Sequence, residues 1–480
     1  MQSTTPLWSA LNAYATKRII PFHTPGHKLR SGPFSEIADV LGEGFFRLDP
    51  SDEVENEDLN HRFEAALGSA EKLAAELFGA VDTLFLVNGT TSGLHYLLMP
   101  TTGRVLIPRF SHQAVYSALI LSEAEPAYIP AAYEREWMIP LAPTTADITE
   151  HAKGQYEALV LTHPTYYGTV SELAKLTNAA QQRGMLVFVD EAHGGHFHFS
   201  KTLPPSGLQC GADAVVQSTH KTLGSFTQTS MLHSSNSNWF PKIVQARRVL
   251  QTTSPSLVFL AVLDAVRAAL ARRGEKLVCH CLELAHQAAK GLAKIEGVEL
   301  LPRHLQSDPT KIVFSLRNLG LTGVEVERIL RSDYRIQVEL SDYYNVLALI
   351  SLGDTPESVS LLLRAVADLA ARKSHVGGTP LPRQFCDAPP LPPIRSNLRA
   401  AFFAEREILP LTKAVGRVSG SFLTPYPPGV PVIVPGEQFT TEIIDYLRWC
   451  QGLGWPVRGI LAGENVPVLK DNCAFCRKTK

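Results

Sequence analysis

The feature that most constrains this sequence is a repeated alternation between short apolar runs and helical patterns over residues 63–218. The apolar runs end in turn residues, as buried strands do, and cover residues 83–87, 104–108, 157–162, 185–190 and 213–218. Apolar residues recur at helical spacing in residues 63–78, 114–122 and 171–183. This alternation predicts a mostly parallel sheet covered by helices, with functional groups beyond the carboxyl ends of the strands.

The pattern changes after about residue 300, where a smaller α+β unit is predicted. Its strands are expected in residues 311–318, 334–340 and 345–352. The first sixty residues lack periodicity, and we expect them to be irregular apart from a short helix. We therefore divide the chain into an N-terminal arm (1–60), a large domain (61–300), a small α+β domain (301–373), a Pro/Gly-rich linker (374–397) and a C-terminal domain (398–480).

Composition narrows the partners and the compartment. The formal net charge of −1 gives no support for a nucleic-acid or anionic-membrane partner. We expect a cytoplasmic protein, because the N-terminus lacks the pattern of a signal peptide and no run of about 18 apolar residues occurs. The seven cysteines are too sparse for a disulfide framework. Cys473 and Cys476 form one CxxC pair without the second pair that a zinc ribbon requires.

Residues 218–230, STHKTLGSFTQTS, carry the sharpest local signal for chemistry. Lys221 follows a predicted strand and is flanked by His220 and several hydroxyl groups, including that of Ser218. A lysine in such a setting can form a Schiff base with an aldehyde cofactor, and its neighbours suit a phosphate group. An isolated lysine on a loop is usually a solvated surface residue, but this context favours the functional interpretation.

Residues 187–199, VFVDEAHGGHFHF, place an acid at the end of an apolar strand. A buried Asp190 needs a partner, and a protonated pyridine nitrogen is one that would make the ring an electron sink. The alternative interpretation is a metal site, since the segment offers spaced ligands at Asp190, His193, His196 and His198. Residues alone leave both interpretations open.

Two weaker signals complete a possible cofactor site. Residues 86–94, LVNGTTSGL, form a Gly-hydroxyl turn between a strand and a helix, which offers N–H groups and hydroxyls to a phosphate. His112 follows the strand that ends at Pro108 and is suited to stack on a ring, although a lone histidine is more often a packed or surface residue. A phosphate cradle, an acid, a stacking group and a lysine are together the parts that pyridoxal 5′-phosphate (PLP) requires.

These segments resemble the bacterial-type ornithine/lysine/arginine decarboxylases, which have the aspartate-aminotransferase-like fold (fold type I). The resemblance runs from residue 21 to 437, on PFHTPGHK, LVNGTTSG, THPTYYGTV, VDEAHGGHFHF, QSTHKTLGSFTQTSMLH and YPPGVPVIVPGE. It implies an α/β large domain with a mostly parallel sheet, smaller α+β C-terminal domains, and the short form that lacks a receiver-like domain. It also implies a homodimer or higher homo-oligomer and the PLP-dependent decarboxylation of a basic amino acid.

The resemblance also implies roles for individual residues. Lys221 would bind PLP, Asp190 would pair with the pyridine nitrogen, and His112 and Ala192 would lie against the two ring faces. The phosphate ligands would be Thr90, Thr91, Ser218 and His220. His193 completes the predicted cofactor set, and the predicted catalytic residues are Lys221, Asp190 and His220. Acids available for the distal cation of the substrate are Glu437, Glu339 and Asp342.

The expected reaction is conversion of arginine to agmatine and CO₂ in polyamine biosynthesis, because the short form resembles biosynthetic arginine decarboxylases. Lysine or ornithine decarboxylation remains an alternative, as does another fold type I reaction such as transamination. A metal-dependent hydrolase stays open through the His-rich segment. A non-catalytic regulatory relative also stays open, because the chain keeps His112 of the family's Asn-x-His-Lys-Ser stretch but reads FSHQA there.

Overall fold

A computed structural model describes residues 2–17, 19–52, 60–305, 308–376, 379–382, 389–426 and 429–470. The Cys473 and Cys476 pair lies outside the described residues. The chain forms two compact units, one of Met1–Leu97 with Val189–Val278 and the other of Leu98–Phe188 with Cys279–Lys480. No helix in the described ranges combines the length and apolarity needed to cross a membrane. The five-segment division made from the sequence stays a prediction.

The first unit contains three strands joined by antiparallel pairing. Strand Ser230–Ser234 lies between Asp82–Leu86 and Ala214–Gln217, and all five of its residues are buried. Strand Leu186–Asp190 is divided between the two units, and its last two residues, Val189 and Asp190, belong to the first. The helices that lie or begin in this unit are Pro6–Thr16, Ser35–Leu41, Glu43–Arg47, Asn60–Phe78, Gly89–Leu98, Phe197–Phe199 (3₁₀), Thr219–Thr222, Phe240–Leu250 and Leu257–Leu292, which is kinked at Arg273.

Glycines place one helix end at the carboxyl end of strand Asp82–Leu86. Gly89 begins helix Gly89–Leu98 with a φ of 69°, a conformation that favours glycine. One turn later, a Cβ on Gly93 would lie 2.5 Å from Val216 Cγ1 and 2.8 Å from Leu86 Cδ1. Glycine therefore lets this helix pack directly on the strands, with its N-terminus next to the loops that carry the predicted site.

The second unit contains parallel and antiparallel strands. Arg104–Pro108 pairs in parallel with Glu125–Ile129 and Ala158–Thr162. A four-stranded antiparallel sheet has the order Glu299–Leu300, Lys311–Ser315, Val346–Leu349, Leu340–Ser341. Shorter antiparallel pairs are Tyr133–Glu134 with Ile139–Pro140, Arg406–Pro410 with Asn465–Leu469, and Thr424–Pro425 with Val457–Arg458. The helices are Gln113–Leu121, Thr145–His151, Leu173–Gln181, Gly323–Tyr334, Pro356–Val376, Leu398–Phe403 and Thr441–Gly452, with 3₁₀ turns at Arg317–Leu319 and Leu411–Lys413.

Most of the predicted elements in residues 63–218 are confirmed to within two or three residues at each end. The strand predicted at 334–340 is wrong over most of its length. Helix Gly323–Tyr334, which begins with a Thr322–Glu325 capping box, ends at Arg335 in the left-handed conformation with a φ of 57°. The chain then turns, and only Leu340 belongs to a strand.

The expectation for the first sixty residues is also wrong in part. Besides an eleven-residue helix, Pro6–Thr16, the segment forms helices Ser35–Leu41 and Glu43–Arg47. The backbone N–H groups of Leu7 and Trp8 donate to Asp264 Oδ2, so a carboxylate from a distant helix caps the first of these helices. Such a long-range cap leaves no signal in the local sequence.

Candidate active site

Three buried hydroxyl groups meet at the N-terminus of helix Gly89–Leu98. Thr90 Oγ1 lies 2.6 Å from Ser218 Oγ and 3.3 Å from Ser230 Oγ. Each of the three residues is buried, whereas Thr91, on the same turn, is exposed. Hydroxyls beside a helix N-terminus, which carries free N–H groups and a partial positive charge, form a donor set that fits a phosphate group. The sequence had placed Thr90 and Ser218 here, and Ser230 joins them.

Asp190 ends strand Leu186–Asp190 and is only 4% exposed. Its Oδ1 accepts a hydrogen bond from the backbone N–H of Ala192, which fixes the carboxylate relative to the following turn. A buried carboxylate is costly unless it is paired with a proton donor or a cation. A protonated pyridine nitrogen would provide that partner, so the residue type and its burial fit the ring of PLP.

Lys221 and His193 form the reactive pair of the first unit. Lys221 lies in the short helix Thr219–Thr222, and its Nζ is 3.0 Å from His193 Nε2. His193 is buried and Lys221 is half-buried. His220 points to a different partner, since its Nδ1 lies 2.8 Å from the carbonyl oxygen of Thr229. In that bond Nδ1 is the donor, so a neutral His220 has an unprotonated Nε2.

The sequence reasoning did not single out Glu191 and Gln217, the neighbours of Asp190 and Ser218 along the chain. Glu191 is 0% exposed and Gln217 is 1% exposed. Gln217 Nε2 donates to Glu191 Oε2 over 2.6 Å, and the backbone N–H of Gly207 donates to Glu191 Oε1 over 2.9 Å. Burial raises the pKa of Glu191 to about 8, although both hydrogen bonds lower it. The available signal was an acid directly after a strand-end aspartate.

His112 belongs to the second unit and begins helix Gln113–Leu121. Its Nδ1 accepts a hydrogen bond of 3.1 Å from the backbone N–H of Ala114, so the imidazole is the N-cap of that helix. The side chain is exposed, and the cap holds the ring in one orientation. A ring held in this way is suited to stacking.

Glu437 is held by Arg109 in a buried bidentate ion pair. Arg109 Nη1 donates to Glu437 Oε1 over 2.7 Å, and Nη2 donates to Oε2 over 2.6 Å. The guanidinium also donates to the carbonyl oxygens of Pro431 and Val432, while the N–H of Val434 donates to Glu437. Burial alone would lower the pKa of Arg109, but Glu437 raises it overall. Sequence reasoning missed this partner of Glu437.

The other two candidate acids, Asp342 and Glu339, differ in how many hydrogen bonds their carboxylates accept. Asp342 is 2% exposed and accepts hydrogen bonds from the Tyr167 hydroxyl and from the backbone N–H groups of Tyr344 and Asn345. Burial raises its pKa. Glu339 is exposed, and its Oε1 accepts a 2.8 Å hydrogen bond from the Tyr166 hydroxyl.

The His-rich segment does not form a metal centre within the described residues, where no group of three or more His, Cys, Asp or Glu side chains is arranged to hold an ion. His198 instead packs at 5.2 Å from Phe78, and His196 packs at 4.8 Å from Phe197. These rings serve the aromatic core of the first unit. The structure thus gives the metal interpretation no support.

The comparisons with known proteins agree over nearly the whole chain. The family profiles "Orn/Lys/Arg decarboxylase, major domain" and "Orn/Lys/Arg decarboxylase, C-terminal domain" match residues 5–303 and 394–456. Arginine decarboxylases of Halalkalibacterium halodurans and Bacillus subtilis are 35% and 36% identical to the chain, each alignment covering 95% of it and 96% of the relative. The solved structure of lysine decarboxylase A from Pseudomonas aeruginosa has a TM-score of 0.83 at 21% identity and covers 98% of this chain and 81% of that one.

The fold is the α/β fold type I of PLP-dependent enzymes, as the sequence predicted. The chain belongs to the Orn/Lys/Arg decarboxylase family, whose two domain profiles it matches in order. It is therefore an amino-acid decarboxylase, and its cofactor is PLP.

Proposed function

We propose that this decarboxylase acts on arginine and releases agmatine and CO₂, as a step of polyamine biosynthesis in the cytoplasm. The observation that carries the choice of arginine is the identity of 35–36% with arginine decarboxylases over 95% of the chain. The geometry of the first unit supports the reaction type, because a lysine with a histidine partner lies in the same unit as a buried hydroxyl cluster and a buried aspartate.

Each residue of the first unit has one task in this proposal. Thr90, Ser218 and Ser230 would bind the phosphate of PLP, and Lys221 would hold its aldehyde carbon. When bound, PLP supplies the electron sink into which the bond to the departing carboxylate collapses. Asp190 keeps a proton on the ring nitrogen, because a carboxylate at this buried strand end stabilises positive charge on its partner.

Proton transfer falls to the groups around Lys221. His193 Nε2 lies 3.0 Å from Lys221 Nζ, within reach of a direct proton transfer. Lys221 is the amine that would bind the cofactor, and the contact with His193 gives it a neighbour with which a proton can be exchanged. His220, next to Lys221 in the chain, is the second candidate for proton transfer, and its ring is oriented by the hydrogen bond from Nδ1 to the carbonyl oxygen of Thr229.

Glu339 is the carboxylate best suited to the guanidinium of arginine among the three candidate acids. Glu437 is bound on both oxygens by Arg109, and Asp342 is buried among backbone and tyrosine donors. Glu339 is exposed and has one oxygen oriented by Tyr166, which leaves the other for a guanidinium. We propose Glu339 as the substrate carboxylate and assign Glu437 and Asp342 to support of the fold.

The proposal is tested by incubating the purified chain and PLP with equal concentrations of arginine, lysine or ornithine and separating the amines formed. We expect agmatine from arginine at a rate well above those of cadaverine and putrescine. The Lys221→Ala variant should lose both amine formation and the visible absorbance of the lysine-bound cofactor. Cadaverine or putrescine as the main product would overturn the choice of arginine, and no amine from any of the three would overturn the proposed function.

A further inference from the structure

Two residues next to the predicted cofactor anchors bind each other inside the first unit. Asp190 and Ser218, the anchors for the ring nitrogen and the phosphate, end or follow separate strands. Their chain neighbours Glu191 and Gln217 share a hydrogen bond of 2.6 Å, and the N–H of Glu191 donates to the carbonyl oxygen of Val216 over 2.9 Å. The two strand ends are thus fastened together one residue away from both anchors.

A third segment completes this contact. The N–H of Gly207 donates to Glu191 Oε1 over 2.9 Å. A Cβ on Gly207 would lie 2.8 Å from Val215 Cγ2 and 3.2 Å from Val189 Cβ, so only glycine brings its backbone this close. The carboxyl group of Glu191 therefore receives donors from two sides in a site with no exposed surface.

We propose that Glu191 and Gln217 are positioning residues that set the spacing between the ring-nitrogen anchor Asp190 and the phosphate anchor Ser218, and so determine how tightly PLP binds. This inference rests on the proposed roles of Asp190 and Ser218. PLP would present its ring nitrogen and its phosphate to two separate anchors, so its affinity depends on holding both anchors at a matching separation before the cofactor arrives. Neither Glu191 nor Gln217 needs to touch the cofactor for this effect.

The charge of the site is consistent with a structural carboxyl group. Burial, assisted by the nearby charge of Asp190, raises the pKa of Glu191 to about 8, so this carboxyl is mostly protonated at neutral pH. A neutral Glu191 places no second negative charge beside Asp190 at the end of strand Leu186–Asp190. Gln217 Oε1 is buried without a hydrogen-bond partner among the described residues, so a rotated amide could offer an acceptor in place of its donor.

The test measures the dissociation constant of PLP from the full chain, by titration of the apoprotein, in single and double variants. Gln217→Glu places two carboxyl groups face to face, and we expect PLP to bind at least about tenfold more weakly. The double variant Glu191→Gln/Gln217→Glu restores one carboxyl and one amide in reversed order, and affinity should return to within about threefold of the wild type. Glu191→Gln alone should stay near the wild type, because the Gln217 amide can rotate.

Glu71→Ala is the matched control for Glu191→Ala. Glu71 is a partly buried carboxyl of the first unit whose pKa burial likewise raises, to about 7; it accepts a 2.9 Å hydrogen bond from the N–H of Phe85 and pairs with Arg247. Both alanine variants should lose thermal stability, but only Glu191→Ala should weaken PLP binding. Should Glu191→Ala fail to fold, the reversed pair decides the question.

Two results would overturn the inference: unchanged PLP affinity in Gln217→Glu, or a reversed pair that binds PLP no better than Gln217→Glu. These outcomes are independent of the proposed function, which fails instead when the wild-type chain forms no amine from any basic amino acid. The absorbance maximum of bound PLP serves as a second readout, since a loss of general stability alone would not move it.

Discussion

Asp190 and Glu191 are adjacent buried acids for which we propose different roles. Asp190 is proposed to stabilise a protonated ring nitrogen, whereas burial favours the protonated form of Glu191, which serves as a structural carboxyl. We expect Asp190→Asn to lower kcat for agmatine formation by at least about a hundredfold, because an amide cannot stabilise the pyridinium charge. Steady-state assays at saturating PLP check this, with Glu191→Gln as the isosteric control at the next position. An Asp190→Asn enzyme with near wild-type kcat would contradict the assignment.

His233 makes a residue-scale prediction about pH and stability. Its ring is fully buried, 4.5 Å from Phe78, and its Nδ1 lies 2.8 Å from Thr83 Oγ1. Burial, with a smaller contribution from His198, lowers its pKa from 6.5 to about 3. At pH values between these two pKa values, His233 is therefore protonated in the unfolded chain and neutral in the folded chain.

The stability that neutral His233 contributes is complete above pH 6.5 and is lost as the pH falls from 6.5 towards 3. We expect the free energy of unfolding to decline more steeply over pH 6.5–4 in the wild type than in His233→Gln. Urea unfolding at a series of pH values measures both slopes. Equal slopes would mean that other groups dominate the acid sensitivity.

Among the larger elements, the Arg109–Glu437 pair joins the end of strand Arg104–Pro108 to residues 431–437. Glu437→Ala would leave a buried guanidinium without its counter-charge, a change that costs about 3–5 kcal/mol. Thermal and urea unfolding should show this loss. Glu405→Ala, which removes an exposed ion pair with Lys470 in the same unit, is the control and should change stability little. If the two variants behave alike, the buried pair is not what stabilises this element.

Features that depend on neighbouring residues could be predicted from the sequence, whereas contacts between residues far apart in the chain could not. The strands around residues 83–87 and 213–218 were found because burial on both faces leaves continuous apolar runs in the local sequence. The strand predicted at 334–340 was wrong because the preceding helix extends to Tyr334. Arg335 ends that helix in the left-handed conformation, and no glycine or proline marks the end in the sequence. The partners Arg109 and Gln217 were missed because each lies far along the chain from the acid that it binds. Pairings of this kind become visible only in three dimensions.

At the scale of the whole molecule, residues 19–47 expose several large apolar side chains to solvent. Phe22 is 94% exposed, Ile20 81% and Val40 82%, and helix Ser35–Leu41 has no buried residue. Large exposed apolar side chains concentrated in one stretch of the chain favour a contact with another molecule. We propose that the contact is with a second copy of the chain, in keeping with the predicted homodimer or higher homo-oligomer.

Replacing Phe22 and Val40 together by aspartate should therefore lower the molar mass measured by light scattering after size-exclusion chromatography. The reason is that two charges would have to be buried in the subunit contact, at a cost that apolar contacts nearby cannot offset. Val249→Asp is the control, because Val249 is 69% exposed in the same unit but lies on a different helix, Phe240–Leu250. A wild-type chain that stays monomeric at micromolar concentration would refute the assembly itself. An unchanged mass in the double variant would instead move the contact to another surface.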